Sequence, residues 1–326
     1  MFKKQCILCI LLVVVFTLVN LPVIVLGNIP ENDYEDSINH LNGVHIAMYN
    51  GDGAWSYGNQ AFSRMFDWAG CTYVNVSGQD IIDGCLDNFD ILYWPGGHYP
   101  AYWEEMGLEG KSAVQEFVSN GGGYMGICAG AYYACDYIVW MDDDAFPPPD
   151  YKVDGDEFNL DLFEGVAWGP IFELADRPDP GYAMVQVNIN NNHPITRSLP
   201  ETMMIIYIGG PYFIPYENTE QDITILGTYD LTEQNAIAAA TFGEGRVFLI
   251  SPHAEVEEDS DRDGYEPYHE LPDEGSDWPL LYNAIEWLAF KSPEDTNGSS
   301  LSFLFTSLAI ILVVLWSKKF RKRKNK

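Results

Sequence analysis

Between Gly43 and Trp140 the chain alternates short apolar runs with amphipathic stretches, and this rhythm narrows the fold more than any other feature. GVHIAMYN at 43–50 is an apolar run that ends in Gly51-Asp52-Gly53, as a strand meeting a loop does. The segment 58–69 suits a helix, TYVNVS at 72–77 alternates like a strand, and GQDIIDGCLDNF suits a second helix. DILYWPGG at 90–97 is stopped by Pro-Gly-Gly. A helical stretch at 111–119 then leads through glycines 121–123 to YMGIC, a fourth strand, and to AGAYYACDYIVW, read as the helix that follows it. Such βαβαβ order predicts an α/β fold with a doubly wound, mostly parallel, flavodoxin-like sheet, whose site lies at the C-terminal strand ends.

From Met141 to Pro180 the rhythm gives way to acidic, proline-rich sequence, including DDDAFPPPD, which reads as an inserted hairpin layer. Strands resume at 181–189, 203–208, 223–229 and 235–251, with Gly243-Glu244-Gly245 as a turn, and a helix closes the domain at 277–290. One domain, 43–290, follows a polar lead-in at 28–42.

Charge and hydropathy bear on which side of a membrane this domain lies. All 48 acidic residues lie between Glu31 and Asp295, against eight basic ones, and the chain as a whole carries a net charge of −31. A surface of that sign repels nucleic-acid phosphates and anionic lipid, so nucleic acid is excluded as a partner. Seven Lys and Arg crowd 318–326, directly after the uncharged stretch LSFLFTSLAIILVVLW. Apolar span followed by basic tail is the positive-inside pattern, which predicts a transmembrane helix at 301–317 after a linker at 291–300, a cytoplasmic tail, and the domain outside. Residues 1–27, with Lys3, Lys4 and an apolar run from Cys6 to Val19, read as a signal peptide cut before Asn28 or as an uncleaved anchor. Either reading puts the domain outside. Asn75-Val-Ser and Asn297-Gly-Ser match the glycosylation acceptor.

Gly126-Ile127-Cys128-Ala129-Gly130 sits at a strand-to-helix junction, the cysteine counterpart of a nucleophile elbow. A nucleophile on so sharp a turn needs neighbours without bulk, and the Ala129 N–H behind it can face an oxyanion. Pro95-Gly96-Gly97 ends the third strand, where the Gly97 amide can complete the oxyanion hole. Ser251-Pro252-His253-Ala254-Glu255 follows the last long strand. His98 and the aromatic residues Tyr99, Tyr102, Trp103, Tyr132 and Tyr133 lie close to these motifs and can line a pocket, although core packing is the commoner use of such residues.

The segments PGG, GGGYMGICAGAYYA, HPITRSLPETMMIIYIGGPYF and SPHAEVE, spread over most of 43–256, resemble the class I glutamine amidotransferase superfamily, and within it the group related to the N-terminal domain of biotin-protein ligases. The resemblance implies a Cys-His-Glu triad of Cys128, His253 and Glu255, with Ala254 standing where many relatives have proline. It implies either a cysteine-dependent amide or acyl hydrolase acting on a small-molecule or peptide substrate, or a binding module that keeps the fold. No cofactor is required by this chemistry.

Two further expectations come from spacing. Asp259, Asp261, Asp263, Tyr265 and Glu270, with Gly264 at the sixth place, fit a twelve-residue calcium loop, although Pro267 spoils an EF-hand helix. Cys71 and Cys85 are the expected disulfide. Cys128 and Cys135 flank a helical stretch that would hold them about 10 Å apart, beyond the ~7 Å limit.

Overall fold

The computed structural model describes residues 41–141, 151–154, 157–175, 181–257, 263–264, 271 and 275–290, all within the unit Asn39–Lys326. Thirteen strands and five helices are built from them. The strands are β1 (His45–Tyr49), β2 (Thr72–Val76), β3 (Ile91–Trp94), β4 (Gly123–Ile127), β5 (Cys135–Met141), β6 (Tyr151–Asp154) and β7 (Phe163–Gly169). They continue as β8 (Tyr182–Ile189), β9 (Thr202–Ile208), β10 (Tyr212–Pro215), β11 (Ile223–Tyr229), β12 (Asn235–Phe242) and β13 (Gly245–Ile250). The helices are α1 (Ser56–Ala69), α2 (Gly78–Ile82), α3 (Tyr99–Ser119), α4 (Ala129–Ala134) and α5 (Trp278–Ala289).

Nine strands form one sheet in the order β2-β1-β3-β4-β13-β12-β11-β8-β9. The first five are parallel, in a flavodoxin-like order, and every pair from β13 to β9 is antiparallel. The sheet is therefore mixed rather than mostly parallel. Hairpin connections explain the change: the Gly243-Glu244 turn is too short for the crossover that a parallel pair needs.

Apolar residues fill both sides of the parallel half, as a sheet covered by helices on both faces requires. On one face Ile46, Met48, Ile91, Tyr93, Met125, Phe248 and Ile250 pack against Phe62, Met65 and Phe66 of α1 and Leu281 and Ile285 of α5. On the other, Ala47, Tyr49, Leu92, Trp94, Val247 and Leu249 pack against Tyr102, Met106 and Val114 of α3 and Ala131 of α4. Helix α1 stops where Gly70 takes φ 78° and its N–H turns back to the Asp67 and Phe66 carbonyls. Helix α2 starts from a capping box made by Ser77 and Asp80.

Three elements differ from the expectation. The helix after β4 ends at Ala134, because Cys135–Met141 becomes a strand of a second, four-stranded sheet ordered β10-β7-β5-β6. The β-branched Ile138 and Val139 favour that outcome, and pairing with β7 supplies the hydrogen bonds a helix would have made. This sheet is the inserted layer, enlarged by β5 and by β10, whose Tyr-Phe-Ile-Pro run is too short to signal a strand. Helix α3 begins twelve residues before the expected start, in two pieces that meet at Gly107 with φ 52°.

Cys71, Cys85, Cys128 and Cys135 are all free, so the expected Cys71–Cys85 disulfide is not formed. Cys71 packs in the core beneath α1, whereas Cys85 packs with the core on the opposite face of the sheet. The sheet lies between them.

The segment 301–317 and the leader at 1–27 fall outside the described residues, as does Asn297. Among the described residues no helix is long and apolar enough to cross a membrane.

Candidate active site

Cys128 follows β4, as the N-cap of α4, in an unusual backbone conformation. Its φ of 47° and ψ of −105° leave the sheet abruptly, while its N–H still donates to Ile250 O at 2.9 Å. Strain of this kind persists only where neighbours enforce it. Here the two glycines of the motif do so. A Cβ on Gly126 would stand 2.7 Å from Gly130 O, and one on Gly130 would stand 2.3 Å from Trp94 O. Gly130 is further held by its N–H to Pro95 O at 3.0 Å, and its own carbonyl accepts from the Tyr124 hydroxyl at 2.8 Å. Both glycines are thus required by close approach of backbone to backbone.

His253 and Glu255 follow β13, the strand next to β4. The His253 N–H donates to Ile206 O at 2.8 Å, and Glu255 O accepts from the Trp278 indole at 3.0 Å, which fixes the turn from both sides. His253 Nδ1 meets Glu255 Oε1 at 2.7 Å, with both side chains buried, at 1% and 0% exposure. The carboxylate orients the ring and leaves Nε2 on the far side. That nitrogen makes no hydrogen bond among the described residues. Burial would by itself push the imidazole pKa down. The Glu255 charge and the adjacent Cys128 outweigh burial and lift it to about 10.

Gly96 lies between the two reactive side chains: a Cβ there would be 2.8 Å from His253 Cε1 and 3.4 Å from Cys128 Cβ. The thiol therefore sits beside the ring. Cys128 Sγ donates to Ile208 O at 3.5 Å, at the end of β9.

Several contacts hold the Gly96-Gly97 loop. Trp55 N–H and the Tyr102 hydroxyl both donate to Gly96 O, at 2.9 Å and 3.0 Å, and His98 N–H donates to Gly53 O at 2.9 Å. A Cβ on Gly97 would fall 2.0 Å from Gly53 O, so only glycine fits. Among the described residues no acceptor takes up the Gly97 or Ala129 N–H. Cys128, His253 and Glu255 are brought together, with Gly96-Gly97 and Ala129 beside them.

Other candidates fare differently. Tyr99, Tyr102, Tyr132 and Tyr133 are core residues, each 5% exposed or less. Two of them also tie loops to the site, since Tyr132 donates to Gly209 O at 3.3 Å as Tyr102 does to Gly96. Asp259, Asp261, Tyr265 and Glu270 lie outside the described residues. Asp263 is buried and accepts from the Glu257 N–H at 3.0 Å. Among the described residues no group of three or more His, Cys, Asp or Glu is placed to hold a metal ion.

Two contributors escaped sequence reasoning. Trp55 sets its ring edge-on to His253, with centroids 5.0 Å apart, and Ile208 supplies the carbonyl that receives the thiol. The glycine pairs Gly51/Gly53 and Gly209/Gly210 were the available signals, since each marks a loop that approaches backbone closely.

Residues 83–273 match the family described as biotin-protein ligase, N terminal. The biotin-protein ligase of Schizosaccharomyces pombe is 27% identical over 211 residues, covering 64% of this chain and 31% of that protein. An uncharacterized protein of Chlamydia muridarum is 27% identical over 186 residues, covering 55% of this chain and 66% of that protein. The chain thus spans about a third of the ligase and two thirds of the chlamydial protein. Among solved structures, a glutamine amidotransferase from Thermotoga maritima aligns with 76% of this chain and 99% of its own, at 11% identity and a TM-score of 0.47. A cytoplasmic protein from Salmonella typhimurium LT2 aligns with 76% of this chain and 100% of its own, at 11% identity and a TM-score of 0.45.

Proposed function

The chain belongs to the biotin-protein ligase N-terminal family, and from that premise we propose that it is a cysteine-dependent hydrolase of amides or related acyl compounds. One observation carries the reading: a buried imidazole, oriented by Glu255 at 2.7 Å, turns an unpaired Nε2 toward a cysteine held in a strained elbow. That is the order nucleophile, base, orienting carboxylate.

In the reaction, the proton of Cys128 rests on His253 Nε2, and Cys128 Sγ attacks the acyl carbon as a thiolate. The raised proton affinity of the ring favours this ion pair, and Glu255 stabilises the imidazolium. The amides of Gly97 and Ala129 receive the oxyanion of the tetrahedral intermediate. Collapse of the intermediate sends the proton from Nε2 to the leaving amine and leaves a thioester on Cys128. A water molecule, deprotonated by His253, then attacks the thioester, and the acid leaves as the thiol regains its proton.

The test is a screen of amides and activated esters, read by mass on the Cys128 peptide. The reading expects an acyl adduct that disappears in Cys128→Ala. Labelling at any other residue, or an undiminished rate in Cys128→Ala, would refute it. A second reading, a binding module that keeps the fold, is favoured by one contact. The thiol donates to Ile208 O at 3.5 Å.

The charge pattern of the sequence supports placing the domain on the outer face of a membrane, tethered by 301–317. Protease added to intact cells should remove the domain and spare the tail, and a protected domain would contradict the placement. The 259–270 loop is proposed as a calcium site on its ligand spacing. Calcium titration calorimetry on the parent protein and on Asp261→Ala tests it, and no heat from the parent would dispose of it.

A further inference from the structure

We infer that Glu105 is a positioning residue for the oxyanion-binding loop and acts through the segment 51–55; this rests on the hydrolase reading and adds a residue to the same site. The triad is carried by the segments that follow β4 and β13, whereas Gly97 lies on the loop after β3. Its amide therefore needs a support of its own. The segment 51–55 supplies one: Gly53 O accepts the His98 N–H at 2.9 Å, and the Trp55 N–H donates to Gly96 O at 2.9 Å. Between them Ala54 pairs with Gly97 in an antiparallel bridge.

Glu105 pins this segment to α3. Its Oε2 accepts the Asp52 N–H at 2.7 Å and the Tyr49 hydroxyl at 2.5 Å, and its Oε1 accepts the Gly78 N–H at 2.7 Å. Three neutral donors, from the end of β1, the loop after it and the start of α2, thus converge on one side chain. Only a carboxylate has acceptor capacity for all three and no donor of its own, and bonds to an ionised acceptor are the stronger kind. Burial, and then the bond to Glu105, push the Tyr49 phenol well up, so it stays the donor.

The two loops make room for this side chain. A Cβ on Gly51 would stand 2.2 Å from Glu105 Oε2, and one on Gly78 would stand 2.7 Å from Glu105 Cγ. Tyr102, three residues earlier and so on the same face of α3, donates to Gly96 O at 3.0 Å. One helix face therefore holds the glycine loop twice, directly by Tyr102 and, through Asp52 and Gly53, by Glu105. His253 is fixed from elsewhere, by Glu255 at Nδ1 and by Ile206 O at its N–H. Loss of Glu105 should accordingly disturb the oxyanion donor and spare the pair of Cys128 and His253.

The test compares two reagents on the full-length protein. Iodoacetamide alkylates the Cys128 thiolate with loss of iodide and forms no oxyanion; it is read by mass on the Cys128 peptide. 4-Nitrophenyl acetate is attacked at its acyl carbon, so a C–S bond forms and the carbonyl electrons move to the oxyanion. They return as the C–O bond breaks, and 4-nitrophenolate leaves a thioester on Cys128; this reaction is read as the nitrophenolate burst that is lost in Cys128→Ala. In Glu105→Ala the burst rate should fall about tenfold or more, toward the effect of losing an oxyanion donor, while the iodoacetamide rate stays within about threefold of the parent. Glu105→Gln, whose amide oxygen can still accept the Asp52 N–H, should recover most of the burst rate. If Glu105→Ala loses its native circular dichroism, Tyr49→Phe, which takes one bond from Glu105 and keeps the ring, should show the same selectivity at about fivefold. Equal slowing of the two reactions, slowing of neither, or a Gln variant as slow as Ala, while the parent gives the burst, would overturn the role of Glu105 and leave the hydrolase reading standing. A parent that is alkylated at Cys128 but gives no Cys128-dependent burst would remove both.

Discussion

In the parallel half of the large sheet every strand ends at the same edge, so β3, β4 and β13 deliver the Gly96-Gly97 loop, Cys128 and His253 side by side. In the antiparallel half only alternate strands end there. Strands β9 and β11 run with the parallel set, and they bring Ile208 against the thiol and the Tyr229 hydroxyl to Ser251 Oγ at 2.5 Å. The intervening strands end at the far edge, where the loop from Asn190 to Leu199 packs near α5. One half therefore supplies reactive groups and the other a wall behind them. Parallel order concentrates chemistry at one edge; antiparallel order divides its loops between two.

This division can be broken at its centre first. Gly96→Ala puts a methyl group on the His253 ring and beside Cys128. Alkylation of Cys128 by iodoacetamide should slow by about a hundredfold, the scale of a displaced acid–base partner, while circular dichroism stays native. An unchanged rate would mean that the Gly96 loop does not set the geometry.

Next in size is the core beneath the site. Leu249 of β13 is fully buried, and Leu249→Ala should cost about 3 kcal/mol in urea unfolding. A cost under about 1 kcal/mol would show that the junction between the halves is loosely packed.

The pH dependence of stability sharpens the role of His253. Burial alone would lower its pKa, but Glu255 and Cys128 raise it from 6.5 to about 10. The folded protein then holds a proton that the unfolded chain releases earlier. This contribution is complete below pH 6.5 and is lost as the pH climbs toward 10. The thermal midpoint of the parent should fall across that window more steeply than that of His253→Gln, and parallel curves would refute the linkage.

The smallest effect belongs to the wall. Tyr229→Phe removes the bond to Ser251 and should cost about 1 kcal/mol in unfolding, with Cys128 alkylation unchanged. A slowed alkylation would make the antiparallel half part of the reactive machinery.

The same contrast explains what was legible in the sequence. Apolar runs separated by glycine loops expose a parallel strand order with the cysteine elbow and the His-x-Glu segment at its ends, and it was the family resemblance that joined Cys128, His253 and Glu255 into one set. Hairpins gave their strands by turn chemistry, as at Gly243. Their partners stayed hidden, because pairing of β9 with β8, or of β10 with β7, leaves no local mark. Cys135 misled for a related reason. Its surroundings read as helix until β7, almost thirty residues later, offers the pairing that makes it a strand. The Cys71–Cys85 pairing failed because spacing along the chain does not reveal which face of the sheet each thiol occupies.

The central claim is that Cys128, His253 and Glu255 act as one unit, and a double-mutant cycle tests it most directly. Iodoacetamide rates at Cys128, measured at neutral pH, are compared for the parent, His253→Gln, Glu255→Gln and the double variant. If Glu255 acts through His253, the double variant will be no slower than His253→Gln alone, with both at least tenfold below the parent. Effects that add independently, or rates that match the parent throughout, would contradict the unit and leave Cys128 as an elbow cysteine without a base.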